Sequence, residues 1–467
     1  MKKTLFILAI VVIFGRINVA NAQETVLLNF SGSNGQSPSG ALYYDGTFLY
    51  GTTALGGSSY GVIYKIKTDG TGYTDLLDFN GTIGEGPVGS LISDGTFLYG
   101  MTNSGGTYGK GTVYKIKLDG TGSIVLLDFN GTNGYWPYGS LISDGTFLYG
   151  MTLWGGANNQ GLVFKIKPDG TGYADLLDFN SINGEAPKGS LVSDGTFLYG
   201  MTSEGGLHGD GVVFKIKTDG TGYAKLLDFN GTNGSSPKGT LISDGTFLYG
   251  LTYYGGTSND GVVFKIKPDG SSYTKLLDFS GGGYPIASLI SYGGILYGIY
   301  TYDGPTGSTG YSFGNIFKIM PDGTGFYSLF EFNSFDGMYG LGPNGSLICD
   351  GTFLYGVTVA GGGSNDGVVF KFALTATGIS EINNKSDIVI YPNPNNGNFT
   401  LSYHLNNNPN TLIQIKDVTG RIVYTANITG TESKQNINAT GLNDGIYYWE
   451  VLSGNEILDR GKIAVIK

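Results

Sequence analysis

The chain has 467 residues, of which 82 are glycine, yet 40% are apolar and 13% aromatic. That mixture excludes a disordered glycine-rich tract, and the lack of any sustained 3.6-residue apolar period excludes a helical bundle; short strands joined by tight turns are implied. Only 14% of residues are charged, the net charge is −10, and no basic cluster occurs, which argues against nucleic acid or an anionic membrane surface as partner.

In chain order, Lys2 and Lys3 precede an apolar run from Leu5 to Phe14 and a small-x-small site at Ala20-Asn21-Ala22. Residues 1–22 therefore read as a signal peptide, too short in its apolar part to span a bilayer comfortably. Its removal takes away Lys2, Lys3 and Arg16 and moves the net charge from −10 to −13. No later segment is apolar enough to cross a membrane. The single cysteine, Cys349, allows no internal disulfide and is expected to be a small buried apolar residue.

A repeat then dominates the chain. The word Ser-Asp-Gly-Thr-Phe-Leu-Tyr-Gly begins at Ser93, Ser143, Ser193 and Ser243, with looser copies at Tyr44, Ser291 and Cys349. Its leucine stands at Leu49, Leu98, Leu148, Leu198, Leu248, Leu296 and Leu354, at spacings of 49, 50, 50, 50, 48 and 58 residues. Each unit holds four strand-like pieces, in the fourth unit 189–193, 196–202, 212–217 and 223–229. Asp-Gly turns join the first piece to the second and the third to the fourth, supplying the positive φ that tight hairpins need. Four antiparallel strands at this period predict a β-propeller with seven blades. The second strand is apolar on both faces and belongs inside a blade. The third alternates, with Lys215 and Lys217 on one face, and is placed nearer the rim. Six units end in a Leu-Leu-Asp-Phe word or its variant. The seventh lacks one, and its missing copy is Val26-Leu27-Leu28-Asn29-Phe30 at the other end of the chain. The N-terminal strand is therefore expected to close the last blade and remove its open edge.

Alternating strand direction puts the Asp-Gly turns on one face and the remaining loops on the other. The first face is uniform: Asp69, Asp119, Asp169, Asp219, Asp269 and Asp322 resemble a carboxylate ring, but Asp before Gly ordinarily accepts N–H bonds within its own turn, and no single turn could satisfy calcium. Asp78, Asp128, Asp178, Asp228 and Asp278 are expected at the rim, near the third-strand lysines. The second face varies. It carries Tyr135, Trp136, Tyr138, Trp154, Glu185, Glu204, His208, Tyr253, Tyr254 and Tyr302, the candidate ligand-binding residues. Tyr311, Phe335 and Tyr339, with Asp303 and Asp336, fall on the two longest loops of this face. Aromatic platforms beside amides and carboxylates suit sugar rings. Catalysis has little support. His208 and His404 are the only histidines and lie in different domains, so no metal site or cofactor is expected. A carboxylate pair such as Glu185 and Glu204 keeps glycoside hydrolysis open as an alternative.

After residue 372 the composition changes. A polar linker at 373–387 leads to strand-like pieces between 388 and 467 that suggest a small Ig-like β-sandwich. Its words run Tyr391-Pro392-Asn393-Pro394 with Gly397, then a hairpin with Gly420, then Gly445 and Tyr447, then Lys462 near the end. Their order strongly resembles the type A C-terminal sorting domain of the Bacteroidetes type IX secretion system. The resemblance implies export through the inner membrane, passage of the outer membrane directed by residues 388–467, and a secreted or surface-attached product whose partner is the type IX machinery. The repeats, with Leu-Tyr-Gly-x-Thr, Gly-Gly, Gly-x-Val-Phe-Lys and Asp-Gly-Thr-Gly in fixed order over about residues 26–372, resemble GloVer-type tandem repeats of bacterial surface proteins, a resemblance that carries over no ligand. The expectation is thus a propeller over 23–372 that binds a glycan or surface protein; an extracellular polysaccharide-acting enzyme and a purely structural surface protein are the alternatives.

Overall fold

The computed structural model describes residues 24–302, 313–332, 340–374, 389–391, 393, 395–404, 411–417, 421–428, 432–453 and 456–467. The leader at 1–22, nearly all of the 373–387 linker, and Asp303, Tyr311, Phe335, Asp336 and Tyr339 lie outside them. The chain divides into two units, Met1–Thr375 and Ala376–Lys467.

The first unit is a succession of antiparallel sheets. The first sheet orders its strands Gln36–Tyr44, Phe48–Leu55, Val62–Lys67 and Thr74–Asp78, and the second Glu85–Ser93, Phe97–Ser104, Thr112–Lys117 and Ile124–Asp128. Sheets of the same plan occupy 135–178, 192–228, 242–278 and 283–332. The last combines Leu341–Cys349, Phe353–Ala360 and Val368–Ala373 with Glu24–Asn29 as its outer strand. Val26 faces Phe370 and Asn29 faces Val368 in that pairing, so the N-terminal strand closes the last sheet as its Leu-Leu-Asn-Phe word implied. This is a β-propeller arrangement.

The turns satisfy themselves. Asp94 Oδ1 accepts the N–H groups of Thr96 and Phe97, each at 2.8 Å, and Oδ2 accepts the Tyr99 hydroxyl at 2.8 Å. Burial opposes ionisation of Asp94, but these donors outweigh it and hold the carboxyl below its usual range. Asp119 accepts the Thr121 hydroxyl at 2.7 Å and its N–H at 2.9 Å. The apparent carboxylate ring is therefore a set of separate turns, each engaging one carboxylate oxygen within itself. Among the described residues no group of three His, Cys, Asp or Glu could hold a metal.

Neighbouring sheets are joined in three ways. The outer-strand phenylalanine of each sheet meets an aromatic ring of the next edge-on: Phe79 meets Tyr114 at 5.2 Å, Phe129 meets Phe164 at 5.5 Å, and Phe30 meets Tyr64 at 5.2 Å. Near the axis, hydroxyls form a hoop. The N–H of Ala41 donates to Ser90 Oγ, Ser90 to Ser140, Ser140 to Ser190, Ser190 to Thr240, Thr240 to Ser288 and Ser288 to Ser346, at 2.7–3.0 Å. Ala41 has no hydroxyl to return the pattern, so the hoop is interrupted where the last sheet meets the first. Beside the hoop, a Cβ on Gly139 would overlap the carbonyl of Gly189, which shows how closely the inner strands approach.

The third link corrects the reading of the third strand. Val212, Val213, Phe214 and Ile216 are all fully buried, so this strand is enclosed on both faces rather than half exposed. Its lysine is a strap. Lys115 Nζ lies 4.8 Å from the centre of the Phe97 ring and donates to the Pro168 carbonyl of the next sheet at 2.8 Å. Lys65, Lys165, Lys215, Lys265 and Lys371 repeat the arrangement. In the sixth sheet Lys318 sits over Tyr327 instead. Lys115→Met keeps the aliphatic stem but loses the bond and the ring contact; it is expected to cost about 1–2 kcal/mol of unfolding free energy. Lys117→Met, on an exposed neighbour, is expected to cost under about 0.5 kcal/mol. Equal denaturant midpoints for the two variants would remove the strap.

Three further expectations are corrected. Asp128, Asp178, Asp228 and Asp278 do not answer the third-strand lysines: Asp128 Oδ1 accepts the Thr107 N–H at 2.9 Å, Asp178 Oδ1 that of Ala157 at 2.7 Å and Asp228 Oδ1 that of Leu207 at 2.8 Å. Lys225 and Lys275, three residues earlier on the same strands, pair with Asp228 and Asp278. Asn29 plays this part in the last sheet, accepting the Gly363 N–H at 3.1 Å. The first strand of the fourth sheet shrinks from the expected 189–193 to Val192–Ser193, and the Ser190 N–H donates to Thr240 in the next sheet. Cys349 is half-buried, and its sulfur accepts the Gly351 N–H at 3.2 Å, the bond that Ser93 Oγ makes to Gly95.

The second unit packs two antiparallel sheets around one core. The order is Val389–Tyr391, Asn398–His404, Glu432–Asn438 in one sheet, and Ile422–Asn427, Thr411–Lys416, Gly445–Ser453, Glu456–Val465 in the other. Phe399, Leu401 and Ile437 from the first meet Ile413, Ile415, Trp449, Val451 and Ile463 from the second.

Candidate functional site

The variable face of the repeat unit is built by one recurring device. The loops entering the first five sheets turn at a residue before proline: Ser37, Gly86, Trp136, Ala186 and Ser236 have φ between 52° and 57°. Their N–H groups donate to carbonyls on the preceding sheet's loop: Asp366, Tyr60, Lys110, Gln160 and Asp210, at 2.8–3.2 Å. A non-glycine residue in this left-handed region costs about 1–2 kcal/mol, offset here by the satisfied bond. The backbone is held in common while the residue at the turn changes, and Trp136 at this position is half exposed.

The candidate residues separate into groups. Tyr135 and Trp136 stand with ring centres 6.2 Å apart, and Lys110 Nζ lies 4.9 Å from the Tyr135 ring centre. Trp154 is the strand partner of Tyr135. Glu185 and Glu204 lie opposite each other in an isolated antiparallel bridge, exchanging N–H to carbonyl bonds of 2.8 and 3.0 Å. Glu185 Oε2 accepts the Ser181 hydroxyl at 3.1 Å and the Gln160 amide at 3.3 Å. His208 is on an exposed loop beside Leu207. Tyr253 packs against Tyr254 at 4.5 Å and Tyr284 at 5.3 Å, forming a three-tyrosine cluster. Tyr302 pairs through its backbone with Gly283 and Phe313.

A cavity of about 130 Å³ lies on the axis, lined by residues from every sheet of the unit. After each entry proline comes one variable residue and then, except for Ala287, a glycine. The variable position reads Ser39, Val88, Tyr138, Lys188, Lys238, Ile286 and Asn344. Tyr138 is thereby brought to the same cavity as Lys188 and Lys238, two residues that sequence reasoning missed. The signal was available: comparing the repeats position by position finds two adjacent lysines at a place occupied elsewhere by uncharged residues. Lys238 Nζ sits 3.0 Å from the centre of the Tyr253 ring. Burial, reinforced by the like charge of Lys188, lowers the Lys238 pKa to about 8.

In the second unit the sorting words act as ties. Asn393 Nδ2 donates to the Lys462 carbonyl, and its Oδ1 accepts the Ala464 N–H, both at 2.9 Å. Asn395, buried, receives the Gly397 N–H on its side chain at 2.8 Å and the Ile466 N–H on its carbonyl at 2.7 Å. Gly397, at φ 94°, has no room for a Cβ against Ala439. Tyr391 is partly exposed under Lys434, the Tyr447 hydroxyl donates to the Asn443 carbonyl, and Gly445 opens its strand exposed. Pro392, Pro394 and Gly420 lie outside the described residues. Among the described residues no helix is long and apolar enough to cross a membrane.

The family described as Gloeobacter/Verrucomicrobia repeat matches residues 12–194 and 143–313, and the Secretion system C-terminal sorting domain matches residues 389–465. No curated protein matches in sequence. Among solved structures, the extracellular domain of a hybrid two-component system from B. thetaiotaomicron is similar with TM-score 0.51 and 12% identity, over 95% of this chain and 59% of that one. The oligogalacturonate lyase of Vibrio parahaemolyticus gives 0.47 and 12%, over 76% and 94%. The β-propeller domain of the Trilobed protease from Pyrococcus furiosus gives 0.44 and 10%, over 74% and 94%. Likeness at such identity concerns the fold alone. The repeat matches span well over half of the sequence, and the chain belongs to the Gloeobacter/Verrucomicrobia repeat family, ending in a type IX sorting domain that directs it to the cell surface or extracellular space.

Proposed function

We propose that the exported chain is a non-catalytic binding module. In this reading the sheets of the first unit are the blades of a seven-bladed propeller, residues 1–22 are a removed signal peptide, and residues 388–467 form an Ig-like sandwich recognised by the type IX machinery of a Bacteroidetes cell. The variable face takes a glycan or a surface protein. The observation that carries the reading is the contrast between faces. One face consists of turns whose polar groups are spent on themselves. The other holds a shared backbone frame on which aromatic side chains differ from sheet to sheet, with Trp136 and Tyr138 about half exposed. Exposed aromatic rings on a rigid frame are a natural platform for sugar rings.

A glycan array probed with the mature chain tests this. Saturable binding that weakens at least tenfold in Trp136→Ala and Trp154→Ala is the expected result. A face that captures neither glycans nor surface proteins would leave only a structural role. The second reading, a polysaccharide-acting enzyme, draws on Glu185 and Glu204 standing opposite each other. It requires oligosaccharide release that is lost in Glu185→Gln or Glu204→Gln; binding without release excludes it.

A further inference from the structure

We propose that the axial cavity receives the anionic group of an acidic sugar, with Lys188 and Lys238 as its cationic ligands and the Tyr253–Tyr254–Tyr284 cluster beside it as the surface for the sugar ring. The inference rests on the binding-module reading and adds the chemical class of the ligand.

The lysines of this unit have discernible duties. Lys115 and its equivalents strap sheet to sheet, and Lys225 and Lys275 pair with carboxylates on their own strands. Lys188 and Lys238 have no carboxylate partner: among the described residues neither lies within 4.0 Å of a carboxylate oxygen, and Lys238 sits only against the Tyr253 ring. They occupy the same position in consecutive sheets and line one cavity with Tyr138. Two like charges drawn together in a partly buried place repel one another and lose hydration, and the lowered pKa of Lys238 expresses that tension. In a chain of net charge −10, two cations brought together without an acidic neighbour leave their charge uncompensated. An oxyanion between them would compensate it, since ammonium-to-carboxylate or ammonium-to-sulfate bonds are charge-assisted and about twice as strong as neutral ones.

Size and surroundings narrow the class. A space of about 130 Å³ accepts a carboxylate or sulfate group but not a chain of sugar rings, so the remainder of the ligand must lie outside. Tyr253 contacts Lys238 and is stacked on Tyr284, which places an aromatic surface directly beside the charge. A uronic acid and a sulfated sugar share this combination of an oxyanion and an apolar ring face.

The test uses the full mature chain and three polymers: polygalacturonate for carboxylate, dextran sulfate for sulfate, and dextran as the neutral control. Affinity electrophoresis or calorimetry should show at least one acidic polymer binding at least tenfold more tightly than dextran. Lys188→Gln/Lys238→Gln should abolish that preference in a chain that still unfolds in a single cooperative melting transition. Lys188→Arg/Lys238→Arg should retain the preference. Preference for polygalacturonate over dextran sulfate identifies the group as carboxylate, and the reverse identifies sulfate. An acidic preference that survives the double glutamine variant overturns the proposal. So does equal binding of all three polymers, although that result would leave the binding-module reading intact. Failure to bind any of them overturns the proposal, and only a further failure with neutral glycans and surface proteins overturns the broader reading.

Discussion

Phe30→Ala lowers the unfolding free energy of the repeat unit by about 3–5 kcal/mol, and deletion of residues 23–39 lowers its melting temperature further still. Phe30 is fully buried and meets Tyr64 edge-on. Around it gather Leu27 from the same closing segment, Leu42, Leu49, Val62 and Ile66 from the first sheet, and Tyr355 and Val369 from the last. The truncation to a small side chain removes apolar area and leaves a cavity that close-packed sheets fill poorly. Phe129→Ala makes the same loss at an interior junction, where Phe129 meets Phe164, and is expected to cost a similar amount. The two variants should differ in how the damage spreads. At the N-terminal junction the strand Glu24–Asn29 is held by a partner more than 300 residues away in sequence, and the hydroxyl hoop is interrupted at the same place. Loosening there exposes the edge of Val368–Ala373, an unpaired template for association. Limited proteolysis should therefore cut Phe30→Ala near residues 24–35 and spare Phe129→Ala at that site. If a chain beginning at Gly40 melts at the temperature of the longer chain, closure by the N-terminal strand contributes nothing and this account of the seam fails.

Removal of residues 388–467 is expected to abolish surface display and release, leaving the repeat unit folded in the periplasm. The chain divides into two compact units, and the second has its own core from Phe399 to Val465. The type IX match occupies residues 389–465. The expected readout is a fall of the surface and medium fractions to background, with the truncated chain retaining the melting transition of the repeat unit. Normal display of the truncated chain would remove the sorting assignment. A finer variant, Asn395→Ala, deletes a buried side chain that accepts the Gly397 N–H. Leaving that group unpaired costs about 1–3 kcal/mol and is expected to reduce export in proportion to the fraction of unfolded sandwich.

The repeats made the strands legible where local chemistry decides them. The strand Val212–Lys217 has the ends the sequence implied, because apolar residues and an Asp-Gly turn bound it, and Asn398–His404 and Gly445–Ser453 fall among the strand-like pieces of 388–467. The closing strand was legible because a missing word at one end matched a spare word at the other. Function between sheets was not. The strap of Lys115 reaches Pro168, 53 residues on, and no local pattern announces such a partner; read alone, the lysine looks like a solvent-facing residue. Ser190 looks like an ordinary strand residue for the same reason, although its N–H belongs to the hoop. Of the candidate site, the tyrosines were visible as departures from a uniform repeat. Lys188 and Lys238 were hidden because each is a single change inside a loop whose proline and glycine do not change.

The position of the closing strand has a consequence for ring size. The first and last strands of the repeat unit meet inside one sheet, not between two sheets. The closing strand needs only a third strand of Val-Val-Phe-Lys type, such as Val368–Ala373, and Phe30 needs only an aromatic ring in the position of Tyr64. Gain or loss of one whole unit of about 50 residues by unequal recombination would leave both requirements met. Unit number is then limited by how many inner strands can stand side by side around the axis, and not by the chemistry of the joint.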